Sequence, residues 1–264
     1  MAWWEANAES DHRLEETWIA ANPGYGDLNS KADFESMVKR TPEAEFRTKR
    51  CNQWVSSQNA WLPAGVWDSL QDEVSVDDFA DVVLGVDGSF NGDTTAIVAV
   101  TVPKSKDEKP HVWLVKAWEK QPNDADDWRV DTLEVEQTII EFAQKHPNTR
   151  EIAFDPFRWQ RTMQVLMDLG LPVVEYPSTS ARRMVGACQK VFDSVTEATL
   201  THDGDPLLAR HLDNCKLKID NLGARIVKES RASSRRIDAA VAFVIAYDRA
   251  TSKLDTAIPE FFVF

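Results

Sequence analysis

"DVVLGVDGSFNGDTTAIVAV" (residues 81–100) is the stretch on which the fold turns. Val83, Leu84 and Val86 lead in, and Ile97, Val98 and Val100 lie beyond, so two apolar strands, about 82–90 and 94–102, flank a turn. Asn91-Gly92 is the dipeptide that a type I′ hairpin turn selects, because both central residues need positive φ. Asp87 interrupts the apolar run. A carboxylate inside a strand is costly to bury unless it is hydrogen-bonded, paired or bound to a metal. Either a backbone partner near the turn or a metal ion would answer that cost.

Downstream the pattern is α/β. "HVWLVKAWEK" (111–120) supplies a third strand, and "RVDTLEVEQTIIEFAQKH" (129–146) has its apolar residues at helical spacing. "REIAFD" (150–155) predicts a short buried strand, Pro156 to about Leu169 a helix, and "LPVVEYP" a fifth strand. Helices are expected around 181–197 and 206–214, and a hairpin over 216–229. "RIDAAVAFVIAYDRA" (236–250) predicts a helix apolar on nearly every face, hence deeply packed. A meander followed by alternating helices and strands implies a mixed central sheet with helices on both faces.

Upstream, residues 1–75 are mostly helical and irregular, with Phe34, Met37 and Val38 at helical spacing and then Phe46. "NPGYGD" (22–27) and "WLPAGVWD" (61–68) are turn-rich punctuation. The acidic "QDEVSVDDFAD" (71–81) marks an edge, so the expected division is 1–75 and 76–264. The chain's 264 residues and 43% hydrophobic content allow a sizeable core. No apolar run reaches 18 residues, and the N-terminus lacks a signal-peptide pattern, so neither membrane nor secretion is expected. Cys51, Cys188 and Cys215 are widely spaced, which suggests neither a disulfide framework nor a zinc site.

The net charge of −13 argues against a surface that grips nucleic acid everywhere. Residues 1–80 hold 7 Lys/Arg against 15 Asp/Glu, but "RIVKESRASSRR" (225–236) sets five basic residues against one acid. That run contains Lys228, Arg231, Arg235 and Arg236, and Asp238 comes two residues after it.

Three aspartates occupy special positions. Asp87 is inside a strand. Asp155 ends one and, with Pro156 behind it, forms a good helix start. Asp238 opens the apolar helix, where the helix dipole favours a negative charge. Each has a structural explanation of its own. Together they can converge on one edge of the sheet, where their mutual repulsion calls for hard divalent cations. Two such ions can activate a water and stabilise the leaving oxygen of a phosphodiester. They also bring positive charge to phosphate, which eases the objection raised by the net charge.

"GVDGSFNGDTTAIVAV", "EIAFDPFRWQRTMQVLMDLGLPVVEYP" and "SSRRIDAAVAFVIAYDRA", in that order, resemble the nuclease domain of the terminase large subunit of tailed bacteriophages. "LTHDGDPLLARHLDNCKLK" (200–218) and the segment over 17–63 resemble the same family, so the likeness covers nearly the whole chain. It implies a ribonuclease H-like fold with a helical N-terminal segment like the one joining the packaging ATPase to the nuclease. It maps Asp87, Asp155 and Asp238 onto the family's acidic metal-binding triad, with Asp93 a weaker candidate. Mg²⁺ or Mn²⁺, as two ions, would be the cofactor. His202 is left outside the catalytic set. Arg158, Arg161, Lys228, Arg231, Arg235 and Arg236 are the expected DNA contacts, positioning rather than reading the duplex.

One departure is large: no phosphate-cradling GxxxxGK[ST] loop occurs, so this chain is not expected to translocate DNA. The resemblance implies double-stranded DNA, the ATPase domain, the small terminase subunit and the portal protein as partners. The place of action would be the cytoplasm of the infected bacterium. The expected function is metal-dependent cutting of concatemeric viral DNA during packaging. Two alternatives stand beside it: a non-catalytic docking module of the motor, using the acidic N-terminal part or the "IPEFFVF" tail, and a junction resolvase or recombinase core.

Overall fold

The computed structural model describes residues 4–7, 10–41, 43–53, 60–88, 94–105, 107–121, 123–125, 127–229, 233 and 235–252, without the side chains of 40, 43–45 and 158. Two compact units divide at Ala60/Trp61 rather than at the expected 75/76. The difference has a packing cause. Trp61, Trp67 and Leu70, in the stretch expected to be turn and linker, are buried in the core of the second unit.

The first unit contains α1 (Glu15–Ala21), α2 (Lys31–Arg40) and α3 (Glu43–Arg50). Trp18 stacks on Phe34 at 5.3 Å, and Phe46 meets both rings edge-on. The predicted helical spacing at Phe34 and Phe46 therefore marks a small aromatic core.

In the second unit, β1 (Val82–Gly88), β2 (Thr95–Thr101) and β3 (His111–Trp118) form an antiparallel meander. Then follow α4 (Thr132–Lys145), β4 (Thr149–Phe154), α5 (Pro156–Asp168), β5 (Val173–Glu175), α6 (Ala181–Thr196), β6 (Thr201–His202) and α7 (Pro206–Asn214). A separate hairpin, β7 (Lys216–Asp220) with β8 (Gly223–Val227), leads to α8 (Asp238–Thr251). The main sheet runs β5-β4-β1-β2-β3-β6, with β4 parallel to β1 and to β5, and β6 parallel to β3. The expected mixed sheet with helices on both faces is present. The two-residue β6 was not expected, because it has no apolar run of its own. The Asn91-Gly92 turn and the 258–264 tail lie outside the described residues.

Strand alternation assigns the faces. Val82, Leu84, Val86, Ile152 and Phe154 pack with residues of α4 and α5 on one side. Val83 and Ala153 pack on the other with α6, α7 and α8. Both faces are covered, which is why β1 has an almost continuous apolar sequence. The helix α8 buries residues on nearly every side, as its composition predicts. It lies directly on β1: a Cβ at Gly85 would come 2.1 Å from the Ala242 carbonyl oxygen. No residue larger than glycine allows that approach.

Candidate active site

Asp87 follows Val83 and Gly85 on the α8 face of β1. The last register pair between β1 and β4 is Val86 with Phe154. Asp87 and Asp155 each come one residue later, at the same level on neighbouring parallel strands. Glu151 of β4 binds Arg249 of α8, so its face is also the α8 face, and the alternation through Ala153 carries Asp155 to that side.

The beginning of α8 belongs to the same end of the sheet. Its last turn is near the start of β4, because Arg249 grips Glu151 with two bonds of 2.6 Å. Its first turn is tied to the other end. The Ala239 amide donates to His211 Nδ1 at 3.0 Å, and His211 Nε2 meets Glu119 Oε1 at 2.9 Å. Glu119 directly follows Trp118, which pairs with Thr95, itself the partner of Gly88. Asp238 therefore opens a helix that points its N-terminus at the edge carrying Asp87 and Asp155.

Asp155 also starts a helix, as the sequence suggested. It is the N-cap of α5: Oδ1 accepts the Phe157 amide at 2.8 Å, a bond of the kind that adds about 1 kcal/mol of stability. Its Oδ2 accepts the amide of Ser178 at 3.0 Å and the Ser178 hydroxyl. Three of roughly four acceptor positions on that carboxylate are thus used, which leaves a lone pair on Oδ1.

Among the described residues, no three acidic, histidine or cysteine side chains come close enough together to hold one metal ion. The expected convergence reaches a shared edge and a shared face, and stops there. The hydrogen bonds of Asp155 to Phe157 and Ser178 account for its present orientation. The donor chemistry fits a hard divalent cation: three carboxylates from three elements at one end of a sheet. Asp93 and Arg231 lie outside the described residues, as does the Arg158 side chain.

Of the expected DNA contacts, Arg161 is on α5, well exposed, and bonded to the buried Glu136 at 3.3 Å. Lys228 follows β8 directly. Arg235 is exposed and 3.8 Å from Glu229, and Arg236 is two residues before Asp238. The basic run therefore leads into the candidate edge.

Two residues at this edge escaped the sequence reading. Glu119 accepts from Arg210 at 2.5 Å and from Thr94 at 3.2 Å, besides His211. Burial works to raise its pKa, but the hydrogen bonds from His211 and Arg210 outweigh that and hold the carboxyl below its usual value. His211 is fully buried, and burial pushes its pKa down. A polar residue ending an apolar strand was the one signal available for Glu119. His202, by contrast, is at the opposite end of the sheet, on β6 beside the start of β3. It is buried, stacks on Trp67 at 3.9 Å, and binds the Trp67 carbonyl oxygen through Nε2 at 2.8 Å.

Comparison with known proteins places the chain in a family. The model for the terminase large subunit, endonuclease domain, matches residues 3–115 and 101–253. The chain belongs to the terminase large subunit endonuclease family. The terminase large subunit of Enterobacteria phage HK97 is 25% identical over 283 residues, covering 95% of this chain and 54% of that protein. The gene 13 protein of Mycobacterium phage L5 is 26% identical over 231 residues, covering 79% of this chain and 38% of that protein. The chain thus spans between about a third and just over half of the length of these relatives. The crystal structure of the HK97 bacteriophage large terminase superposes with a TM-score of 0.60 at 22% identity, covering 93% of this chain and 56% of that one. The large terminase nuclease from thermophilic phage G20c gives 0.52 at 11% identity, covering 73% of this chain and 99% of that one. The fold of this terminase nuclease domain is the expected ribonuclease H-like one.

Proposed function

We propose that this terminase nuclease domain is a divalent-metal-dependent DNA endonuclease that cuts concatemeric viral DNA in the cytoplasm of the infected host. One observation carries the reading: Asp87 and Asp155 directly follow the Val86–Phe154 register pair, at the end of the sheet toward which α8 presents Asp238. The large terminase nuclease of phage G20c has been crystallised with bound magnesium and with bound cobalt, which supports a divalent cofactor here.

Asp87, Asp155 and Asp238 would hold two Mg²⁺ or Mn²⁺ ions. Bound there, such a pair supplies an activated water and charge stabilisation for an in-line displacement at phosphorus. The chain's own part is to fix the carboxylates and the strand. The backbone of β1 and β4 sets Asp87 and Asp155 at one level, and the packing of α8 on Gly85 would hold Asp238 at the same end of the sheet. Arg161, Lys228, Arg235 and Arg236 bind phosphates and set the register of the duplex without reading its sequence. The ATPase domain, small subunit and portal would be partners of the larger protein of which this domain forms part.

Nicking of supercoiled plasmid tests this directly. The wild-type protein is expected to cut with Mg²⁺ or Mn²⁺ and to stop with EDTA. Asp87→Asn, Asp155→Asn and Asp238→Asn are each expected to reduce cutting to background. Asn can keep the cap to the Phe157 amide but turns an NH2 group toward the Ser178 amide, so Asp155→Asn should lower the melting temperature somewhat, and its cutting is compared per folded protein. Unchanged cutting by Asp87→Asn or Asp238→Asn would overturn the assignment, and no cutting under any condition would favour the docking module.

A further inference from the structure

Asp238 is the first residue of α8, whose N-cap residue, Ile237, makes no side-chain capping bond. The first amides of a helix have no partner within the helix and must find one elsewhere. Here the partner comes from α7. His211 Nδ1 accepts the Ala239 amide at 3.0 Å, one residue after Asp238. Asn214, also on α7, donates to the carbonyl oxygen of Arg236 at 2.9 Å, two residues before Asp238. One helix therefore grips the backbone on both sides of the carboxylate.

The tautomer of His211 follows from its two partners. A backbone amide can only donate and an ionised carboxylate can only accept. Nδ1 must therefore be the acceptor, and Nε2 must carry the hydrogen that goes to Glu119 Oε1. Glu119 is itself fixed by Arg210 and Thr94. Arg210, His211 and Asn214 share α7, whose own start is locked by Asp205 accepting the Leu207 and Leu208 amides. The chain of contacts runs from the end of β3, through a buried neutral imidazole, to the amide beside Asp238.

We propose that His211 and Asn214, with Glu119 behind His211, are positioning residues that set where the Asp238 carboxylate stands at the edge it shares with Asp87 and Asp155. None of the three touches the reacting atoms. Their effect runs through the backbone of residues 236–239, and it rests on the nuclease reading given above. The arrangement is the one by which partners behind a metal-binding side chain commonly fix its orientation.

The test combines a measurement independent of activity with one that depends on it. Amide hydrogen exchange at Ala239, in metal-free protein, is expected to accelerate in His211→Leu and to remain slow in His211→Asn. Asparagine keeps an acceptor near the place of Nδ1, whereas leucine keeps none. Nicking by His211→Leu should show kcat reduced on the order of 10–100-fold with KM for DNA unchanged, and His211→Asn should recover most of it. Glu119→Gln, which preserves an acceptor for Nε2–H, should fall between them. His202→Leu is the control: equally buried, at the opposite end of the sheet, it should lower the melting temperature while leaving kcat of the folded protein intact.

Wild-type kcat in folded His211→Leu, or equal losses of kcat in His211→Leu and His202→Leu, overturns the positioning role. If His211→Leu does not fold, slow Ala239 exchange with low kcat in His211→Asn does the same. Cutting by Asp87→Asn at the wild-type rate overturns the nuclease reading instead, so the two failures are told apart.

Discussion

The two ends of the main sheet hold their aspartates differently. Where β1 and β4 begin, carboxylates are matched by cations. Asp81 meets Arg150 at 2.9 Å, and Glu151 takes two bonds of 2.6 Å from Arg249. The histidine there, His202, has both ring nitrogens committed, to the Trp67 carbonyl oxygen and the Gly204 amide. Where β1 and β4 finish, Asp155 draws its hydrogen bonds from uncharged donors, the Phe157 and Ser178 amides and the Ser178 hydroxyl. Asp87 is at the same level and the start of α8 is tied to the same end. At that end the cation-matched carboxylate is Glu119, bound by Arg210 at 2.5 Å, whereas Asp155 is held by neutral donors. Function and stability should therefore respond separately to substitutions at the two ends, and together only where the ends are coupled.

The coupling point is Gly85, midway along the contact of β1 with α8. Gly85→Ala would drive a methyl group to 2.1 Å from the Ala242 carbonyl oxygen, which is backbone and cannot rotate away. The expected cost is about 3 kcal/mol or more, at the upper end of overpacking. Nicking should fall with it, because α8 carries Asp238. Chemical denaturation and nicking of the same preparation check this. A variant of wild-type stability would mean that α8 does not lie on β1 as described.

Glu151→Ala should separate the ends. Arg249 is about one-third exposed, at 34%, and Glu151 is nearly buried, at 10%. Breaking a fully buried pair costs about 3–5 kcal/mol, so roughly 2–3 kcal/mol is expected for this partly wet one. The nicking rate of the folded fraction should be unchanged. A loss of kcat beyond the loss of folded protein would show that the end with the ion pairs also controls the end with the aspartates.

Much of this contrast was legible in the sequence, for a physical reason. Asp87 and Asp155 each follow a run of buried β-branched and aromatic residues, and a strand's period fixes which face the next residue takes. The start of α8 was legible because "AAVAFVIAY" admits only a buried helix. What escaped was whatever depends on contacts between distant segments. Glu119 and His211 are 92 residues apart and meet only through the fold. Trp61 and Trp67 stand among turn residues, so their burial could not be read from local pattern. The same holds for β6, which exists because His202 docks beside Val112 and on Trp67. His202, left outside the catalytic set, is 1% accessible, a burial that no local pattern announces.

The smallest expected effect per residue comes from pH, and it probes the end where His202 lies. Burial pushes the pKa of His202 below its ordinary value, and does the same for His111, His146 and His211. For each, the unfolded chain takes up a proton first as pH falls past about 6.5, its ordinary pKa. Stability rises with pH wherever the unfolded state binds more protons, so this contribution is complete above that pH and is lost below it. Each histidine can contribute a slope of at most about 1.4 kcal/mol per pH unit, between its folded and unfolded pKa values. The melting temperature should therefore decline from pH 7.5 to 5.5, and His202→Gln should flatten the decline. Glu119 adds to the loss only at lower pH, because its folded pKa is below the usual carboxylate value and its stabilisation disappears as it is protonated. A melting temperature that holds constant down to pH 5.5 would mean that the imidazole of His202 is not held neutral against Trp67. The end of the sheet described as closed would then be open to protons.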